Sequence, residues 1–259
     1  MQDLTITLMQ SDLYWENPGA NLAMFEEKIW QINQSTDLII LPEMFTTGFS
    51  MNPEPLAEPM NFTTFKWMKQ MANQTGAVLT GSYIVKEKGL YYNRLLWMQP
   101  DGQFDFYDKR HLFSMAGENQ FYTAGKTQLI KQIKGWKITG FICYDLRFPV
   151  WSRNLNNQYD LALYVANWPA ARAHAWKSLL PSRAIENLCY IAAVNRTGID
   201  GNNLTYQGDS GIFDFLGNEV VCLKDLQTAR SHTLNYQNLV DFRNKFPANL
   251  DADHFEINF

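Results

Sequence analysis

Cysteine is scarce in this chain: Cys143, Cys189 and Cys222 are the three among 259 residues. The number is odd and no two stand in a CxxC spacing, which argues against a disulfide framework and against a thiolate zinc site. Histidine is scarce as well. His111, His174, His232 and His254 form no pair at i, i+2 or i, i+4, so no metal site is expected, and no cofactor either. Clustered basic charge is missing. Lys and Arg number 22 against 26 Asp and Glu, for a formal charge of −4, and no basic tract of five occurs. Phosphate contact needs such clusters, so no nucleic-acid partner is expected. Long apolar runs are missing too, and the opening MQDLTITLMQ carries Asp3 and no basic region. Neither a membrane span nor a signal peptide is indicated, and the expectation is a soluble, cytoplasmic protein with no membrane partner.

What is there is an ordinary globular balance, 46% hydrophobic and 19% charged, with ample material for one sizeable core. Strand and helix patterns alternate. Leu4, Ile6 and Leu8 alternate with Thr5 and Thr7, a half-buried strand. Leu22, Phe25, Ile29 and Ile32 form a helical stripe after the turn signal Asn17-Pro18. Asp37 to Leu41 reads as a short buried strand. Thr63 or Thr64 is placed to cap a helix that turns Phe65, Met68 and Met71 or Ala72 inward. Ala77 to Thr80 is a strand, and Leu90–Met98 with Phe104–Tyr107 reads as a hairpin about Pro100-Asp101-Gly102. The second half repeats the rhythm. Strands fall at Trp136–Cys143, Asp160–Val165 and Cys189–Val194; helices are expected at Phe148–Asn156 and Ala173–Leu188, the latter bent at Pro181. The tail from Gly208 reads as mostly β, with strands at Ser210–Phe215 and Glu219–Leu223. No linker or repeat divides the chain, which gives a single α/β domain.

Three chemistry-bearing residues share one placement. Glu43 follows the strand LIILPE, Lys109 follows FDFYDK, and Cys143 ends ITGFIC. Open α/β sheets place ligand groups just beyond strand ends, where the sheet fixes the base of each loop. Each residue alone also has a plain structural reading: a core thiol, a solvated turn carboxylate, a surface ammonium.

The stretches LIILPEMFTTGF, YDKRHLF and GFICYDLRFP surround these three residues in order. On these stretches the sequence resembles the nitrilase superfamily of carbon–nitrogen hydrolases, over nearly its whole length. LALYVANWPAARAHAW, SRAIENLCYIAAVNRTG and GDSGIFDFLGNEV add to the likeness. PEMFTTGF, CYDLRFP and VANWP are most similar to the omega-amidase branch, which acts on 2-oxoglutaramate and related omega-amides. The resemblance implies a four-layer α-β-β-α sandwich of the nitrilase type. It implies one carbon–nitrogen hydrolase domain over residues 1–259, paired as a homodimer through helices, and a small-molecule amide as substrate. It also implies a Glu-Lys-Cys triad at Glu43, Lys109 and Cys143, with Glu118 in SMAGENQFY as the family's second glutamate.

The chemistry of such a triad follows from its groups. A thiol near its ordinary value of ~8.5 is mostly protonated at neutral pH and needs a base, which Glu43 supplies when partly buried. Attack on an amide carbon builds an oxyanion, which Lys109 and the backbone N–H of Tyr144 would face; such donors contribute roughly 3–4 kcal/mol each. Water then hydrolyses the thioester, with Glu43 or Glu118 as base. A substrate with a distal carboxylate needs a clamp, and Arg172, after Asn167-Trp168-Pro169, is the first choice, since guanidinium grips carboxylate with two prongs. Trp168, Phe45, Phe49 and Tyr83 are expected to wall the pocket. Asp145 and Arg147 are read as pairing with each other or with neighbouring loops to stiffen the turn, Cys189 and Cys222 as packing, and His111 as a structural hydrogen-bonding group. Rival readings stay open: nitrile hydrolysis or N-carbamoyl amino acid cleavage by the same triad, a Cys143–His174 hydrolase, and a catalytically idle binding protein.

Overall fold

A computed structural model describes residues 2–257. In the first half, the elements are β1 (Leu4–Gln10), α1 (Pro18–Trp30), β2 (Leu38–Ile40), α2 (Pro53–Leu56), α3 (Thr63–Thr75), β3 (Val78–Glu87), β4 (Leu90–Met98), β5 (Phe104–Asp108) and α4 (Glu118–Phe121). Then follow β6 (Ile130–Ile133), β7 (Trp136–Ile142), β8 (Leu161–Ala166), α5 (Ala173–Asn187), β9 (Tyr190–Asn195), β10 (Thr197–Ile199), β11 (Thr205–Gln207), β12 (Gly211–Phe213), β13 (Glu219–Cys222), β14 (Thr228–Leu234) and α6 (Tyr236–Lys245). They build two six-stranded sheets, ordered β14-β1-β2-β3-β4-β5 and β13-β12-β9-β8-β7-β6. Each has a parallel centre, β1-β2-β3 or β7-β8-β9, and antiparallel flanks.

The alternation in β1 decides how the sheets stack. Leu4, Ile6 and Leu8 are fully buried and join one cluster with Ile138, Leu163 and Val165 of the other sheet. Burying each such side chain contributes about 1.5–3 kcal/mol. The outer face of the first sheet carries α1 and α3, whose Phe25, Ile29, Met68 and Met71 pack on Ile39, Leu79 and Leu96. On the second sheet, α5 adds Trp176, Leu180 and Ala184, and α6 adds Leu239 and Phe242. The layers therefore run helix, sheet, sheet, helix, the four-layer α/β sandwich that the resemblance implied.

Local signals behave as their chemistry dictates, with exceptions. Asn17 caps α1 by accepting from the Ala20 N–H at 3.1 Å, with Pro18 in the first turn. The start of α3 is capped differently from expectation: Glu58, upstream, accepts from the Thr64 N–H at 2.7 Å. The expected helix over Phe148–Asn156 is absent. There the Asn154 N–H donates to the Asn187 side chain at 2.9 Å instead of to a helical carbonyl, while the Asn154 side chain donates to the Tyr159 carbonyl at 2.9 Å and accepts from its N–H at 3.0 Å. Such local bonds compete with a helical ladder. Asn156 and Asn157 also adopt positive φ, 54° and 50°. Cys189 is buried, but Cys222 is exposed at the end of the edge strand β13 rather than packed. The sequence reading also missed β14, which pairs antiparallel with β1, and α6. Among the described residues no helix is long and apolar enough to cross a membrane.

Candidate active site

The two sheets bring three carboxyl-terminal strand ends to one place. Cys143 directly follows β7, at φ 44°, at the head of a 3-10 turn spanning Cys143–Arg147. Lys109 directly follows β5, and its carbonyl accepts the Gly125 N–H at 2.9 Å. A Cβ on Gly125 would lie 2.1 Å from the Asp108 carbonyl oxygen, so only glycine lets the chain pass this close beneath the lysine. Glu43 lies three residues beyond β2, in a loop tied down by the Met44 and Phe45 N–H groups bonding Ser82 of β3.

Glu43, Lys109 and Glu118 are completely buried. The Lys109 ammonium bonds Glu43 Oε1 at 2.8 Å and both oxygens of Glu118 at 3.0 and 2.9 Å. Asn93 of β4 donates to Glu43 at 2.8 Å and to Glu118 at 3.4 Å. The other Glu43 oxygen accepts the Asn167 N–H at 2.8 Å, and Glu118 Oε2 accepts the Phe113 N–H at 2.6 Å. Both carboxylates are thereby held from two sides. The Cys143 sulfur is half-buried and lies 3.9 Å from the Asn167 carbonyl. Phe49 covers the lysine, with the ammonium 4.9 Å from its ring centroid.

A cavity of about 550 Å³ opens above these groups. Lys109, Cys143, Tyr144, Trp168 and Arg172 line it, as does Arg147, which the sequence reading had assigned to turn stiffening. Phe45 and Tyr83 do not line it. They are buried beneath α1 and α3, where the Phe45 ring packs edge-on against Phe25 and Tyr83 and at a tilt against Trp67. His174, needed by the Cys–His reading, is exposed on α5 and outside the lining. Asp145 does not take Arg147 as its partner. Its buried carboxylate accepts from the Tyr107 hydroxyl at 2.6 Å, from the His111 N–H at 2.9 Å and from the Ile142 N–H at 3.0 Å, and meets His111 Nδ1 at 2.8 Å.

Comparison with known proteins settles the family. Residues 5–230 match the carbon-nitrogen hydrolase family. The chain belongs to that family. Over 259 residues it is 45% identical to omega-amidase YafV of Escherichia coli strain K12, covering 99% of this chain and all of that protein. It is 35% identical over 214 residues to 2-oxoglutaramate amidase of Bacillus subtilis strain 168, covering 81% and 82%. XC1258 of Xanthomonas campestris is a CN-hydrolase superfamily protein whose structure carries an arsenic adduct in the active site. It superposes with a TM-score of 0.98 at 44% identity, over the whole of both chains. This carbon–nitrogen hydrolase is thus an enzyme of amide C–N bonds.

The electrostatics of the hydrolase's site follow from burial. Burial opposes the charge on Lys109, but Glu118, Glu43 and Cys143 outweigh it and hold the ammonium above its ordinary range. Burial also lifts Glu118; Lys109 opposes the shift and Glu43 adds to it. Burial pushes the Cys143 thiol well up, Glu43 pushes it further, and Lys109 pulls the other way. In the resting site the sulfur therefore keeps its proton, and a hydrogen bond toward Glu43 favours that form. Two members of this arrangement escaped the sequence reading. Asn93 is an uncharged polar residue beside Arg94 inside the strand LYYNRLLWM, a weak signal of a buried partner. Asn167 stood in the quoted loop, but nothing in its spacing pointed to Glu43, 124 positions away.

Proposed function

We propose that this enzyme hydrolyses the terminal amide of small dicarboxylate monoamides such as 2-oxoglutaramate and 2-oxosuccinamate, releasing ammonia through a Cys143 thioester. The observation that carries the reading is the buried Lys109 ammonium, within 3.0 Å of both Glu43 and Glu118 and sharing a cavity with the Cys143 sulfur. The substrate class rests on the omega-amidase and 2-oxoglutaramate amidase relatives.

Glu43 takes the thiol proton as sulfur attacks the amide carbon, so no free thiolate need accumulate. The carbonyl oxygen gains charge and faces Lys109 and the Tyr144 N–H, which lies in the first turn of the 3-10 segment, where amides lack partners within the turn. Glu43 returns its proton to the nitrogen, ammonia leaves, and sulfur and carbonyl carbon form the thioester. Water then attacks, with Glu43 or Glu118 as base, and the acid and the thiol are regenerated. Glu118 orients Lys109 and balances its charge. Arg172 holds the distal carboxylate, and Trp168 walls that end. The reading extends to a single domain over residues 1–259 acting in the cytoplasm as a homodimer. The half-exposed Ile185 on α5 supports helices as the dimer surface.

Ammonia release measured across 2-oxoglutaramate, 2-oxosuccinamate, glutamine, a nitrile and an N-carbamoyl amino acid tests the proposal. The 2-oxo amides should lead by kcat/KM. A clear preference for the nitrile or the carbamoyl compound would overturn the substrate class.

A further inference from the structure

Asn93 stands where three parts of the site meet. Side chains alternate between the faces of β4. Arg94 turns to Glu87 and Asp108, and its neighbour Asn93 turns inward to the acids. The Asn93 Nδ2 donates to Glu43 Oε1 at 2.8 Å and to Glu118 Oε1 at 3.4 Å. Its backbone carbonyl accepts the Lys109 N–H at 3.0 Å. The Lys109 ammonium bonds the same two Oε1 atoms, at 2.8 and 3.0 Å. Two donors, one charged and one neutral, therefore bridge one pair of carboxylate oxygens.

The other end of the amide shows what this arrangement gives up. Asn93 is completely buried, yet among the described residues its Oδ1 has no hydrogen-bond partner. Buried polar groups are normally paired, and an empty acceptor costs stability. Turning the amide over would set Oδ1 against the Glu43 oxygen, so the acids fix its orientation. A second cation at this position would also bind both acids, but it would cancel the excess charge of two carboxylates on one ammonium. An amide orients them and leaves that excess in place. Asn93 does not line the cavity, so substrate does not reach it.

On this geometry we infer that Asn93 is a positioning residue for the reaction: one amide group, donated to both acids, holds Glu43 in line as the base without adding a second cation. The inference deepens the reading above and rests on its assignment of Glu43 as base. A hydrogen bond donated to a carboxylate favours its charged form, so losing it lets the pair hold a proton at higher pH. The other titratable groups facing the pair are Lys109, Cys143 and Tyr122, which follow β5, β7 and α4. All three are held above their ordinary values, Tyr122 in part by Glu16, and keep their protons through the neutral range. The acid limb of kcat/KM therefore reports the carboxylate pair.

Two variants of unlike shape test the role. N93L keeps the branched shape and removes the donor. N93A removes both but leaves room for a water, which donates in the amide's place. N93L should lower kcat about 10- to 100-fold at neutral pH, the scale of a lost hydrogen bond to a charged group, with KM little changed. Its acid limb should move to higher pH, so the loss shrinks as pH rises. N93A should lose less than N93L. A residue that only packed β4 would reverse that order and lower the rate equally at every pH; either result overturns the inference, as does an unchanged kcat in N93L. The variants are assayed on whichever compound of the panel above turns over fastest, so a wrong substrate class shows in the panel and a wrong role for Asn93 shows in the variants. Difference infrared on the resting enzyme reads the pair without substrate. N93L should show the carbonyl band of a protonated carboxylic acid at a pH where the unaltered enzyme lacks it, and absence of that band overturns the inference. If N93L fails to fold, N93A carries the same two readings, with smaller shifts of the same sign, and no shift in either overturns it.

Discussion

Two buried carboxylate clusters flank Cys143, and they are built on opposite terms. On one side, Glu43 and Glu118 share a single ammonium, so two acids meet one cation beside the sulfur. On the other, Asp145 stands alone, and its two oxygens meet a tyrosine hydroxyl, two backbone N–H groups and an imidazole. All three carboxylates are sealed from solvent. The first keeps an excess of negative charge that a proton can relieve, which is what a base needs. The second spends its acceptor capacity on fixed donors, and burial with Asp145 nearby keeps the Tyr107 hydroxyl protonated as one of them. A carboxylate saturated with donors is a bracket. Two that share a single cation keep a charge excess and can act as a reagent.

Removing the ammonium should break the reagent side most severely. Lys109→Ala strands two buried acids and, on the proposed mechanism, removes the cation facing the developing oxyanion. Loss of one such stabilising group costs about 10²–10³ in kcat, and the lost alignment of Glu43 adds to it, so ammonia release should fall at least 10³-fold. An enzyme working through Cys143 and His174 would keep its activity in the same assay. Leaving buried charge unpaired also costs about 3–5 kcal/mol, so the variant should unfold at clearly lower urea.

The bracket side should fail differently. Asp145→Ala leaves the Tyr107, His111 and Ile142 donors without their shared acceptor at the root of the nucleophile turn. Unfolding free energy in urea should drop by about 2–4 kcal/mol. Ammonia release, measured well below the new midpoint, should fall less than about tenfold, because the reacting groups remain. Asp145→Asn should not restore stability, since its amide NH₂ would confront another donor.

The contrast between the clusters also explains what could be read from residue order alone. Glu43, Lys109 and Cys143 were legible because each follows an apolar run whose period marks a strand end, and strand ends are where sheets gather reactive groups. Their donors were not. Asn93 and Asn167 act across 50 and 124 positions, and no local period encodes such a pairing. Phe45 and Phe49 show the same limit at short range. The loop turns through positive φ at Met44, 41°, and Gly48, 74°, which sends Phe45 under the sheet and Phe49 over the lysine. The strand β14 hid because TARSHTL is mostly polar. It is an edge strand held to β1 partly by hydroxyl pairs, Thr5 with Thr233 at 2.9 Å and Thr7 with Ser231 at 2.7 Å. The helix expected over Phe148–Asn156 failed for a related reason: the Asn154 N–H is taken by the side chain of Asn187, 33 positions away.

The smallest effect is the sharpest probe of the comparison, because its sign separates charge from structure. Glu43 raises the Cys143 thiol and Lys109 lowers it, both acting after burial. Replacing Glu43 by Gln removes a raising charge, so the thiol should move down and its thiolate fraction at pH 8 should grow. Iodoacetamide, small and uncharged, reports that fraction directly, and its rate should rise. Ammonia release should collapse in the same sample, since the proposed proton acceptor is gone. A site that merely held the sulfur in place would show both rates moving together. Asp145→Asn should leave alkylation nearly unchanged, for the leading charges on the thiol are Glu43, Lys109 and Glu118. If Glu43→Gln instead slowed alkylation, Glu43 would be a bracket like Asp145, and the base would have to be sought at Glu118.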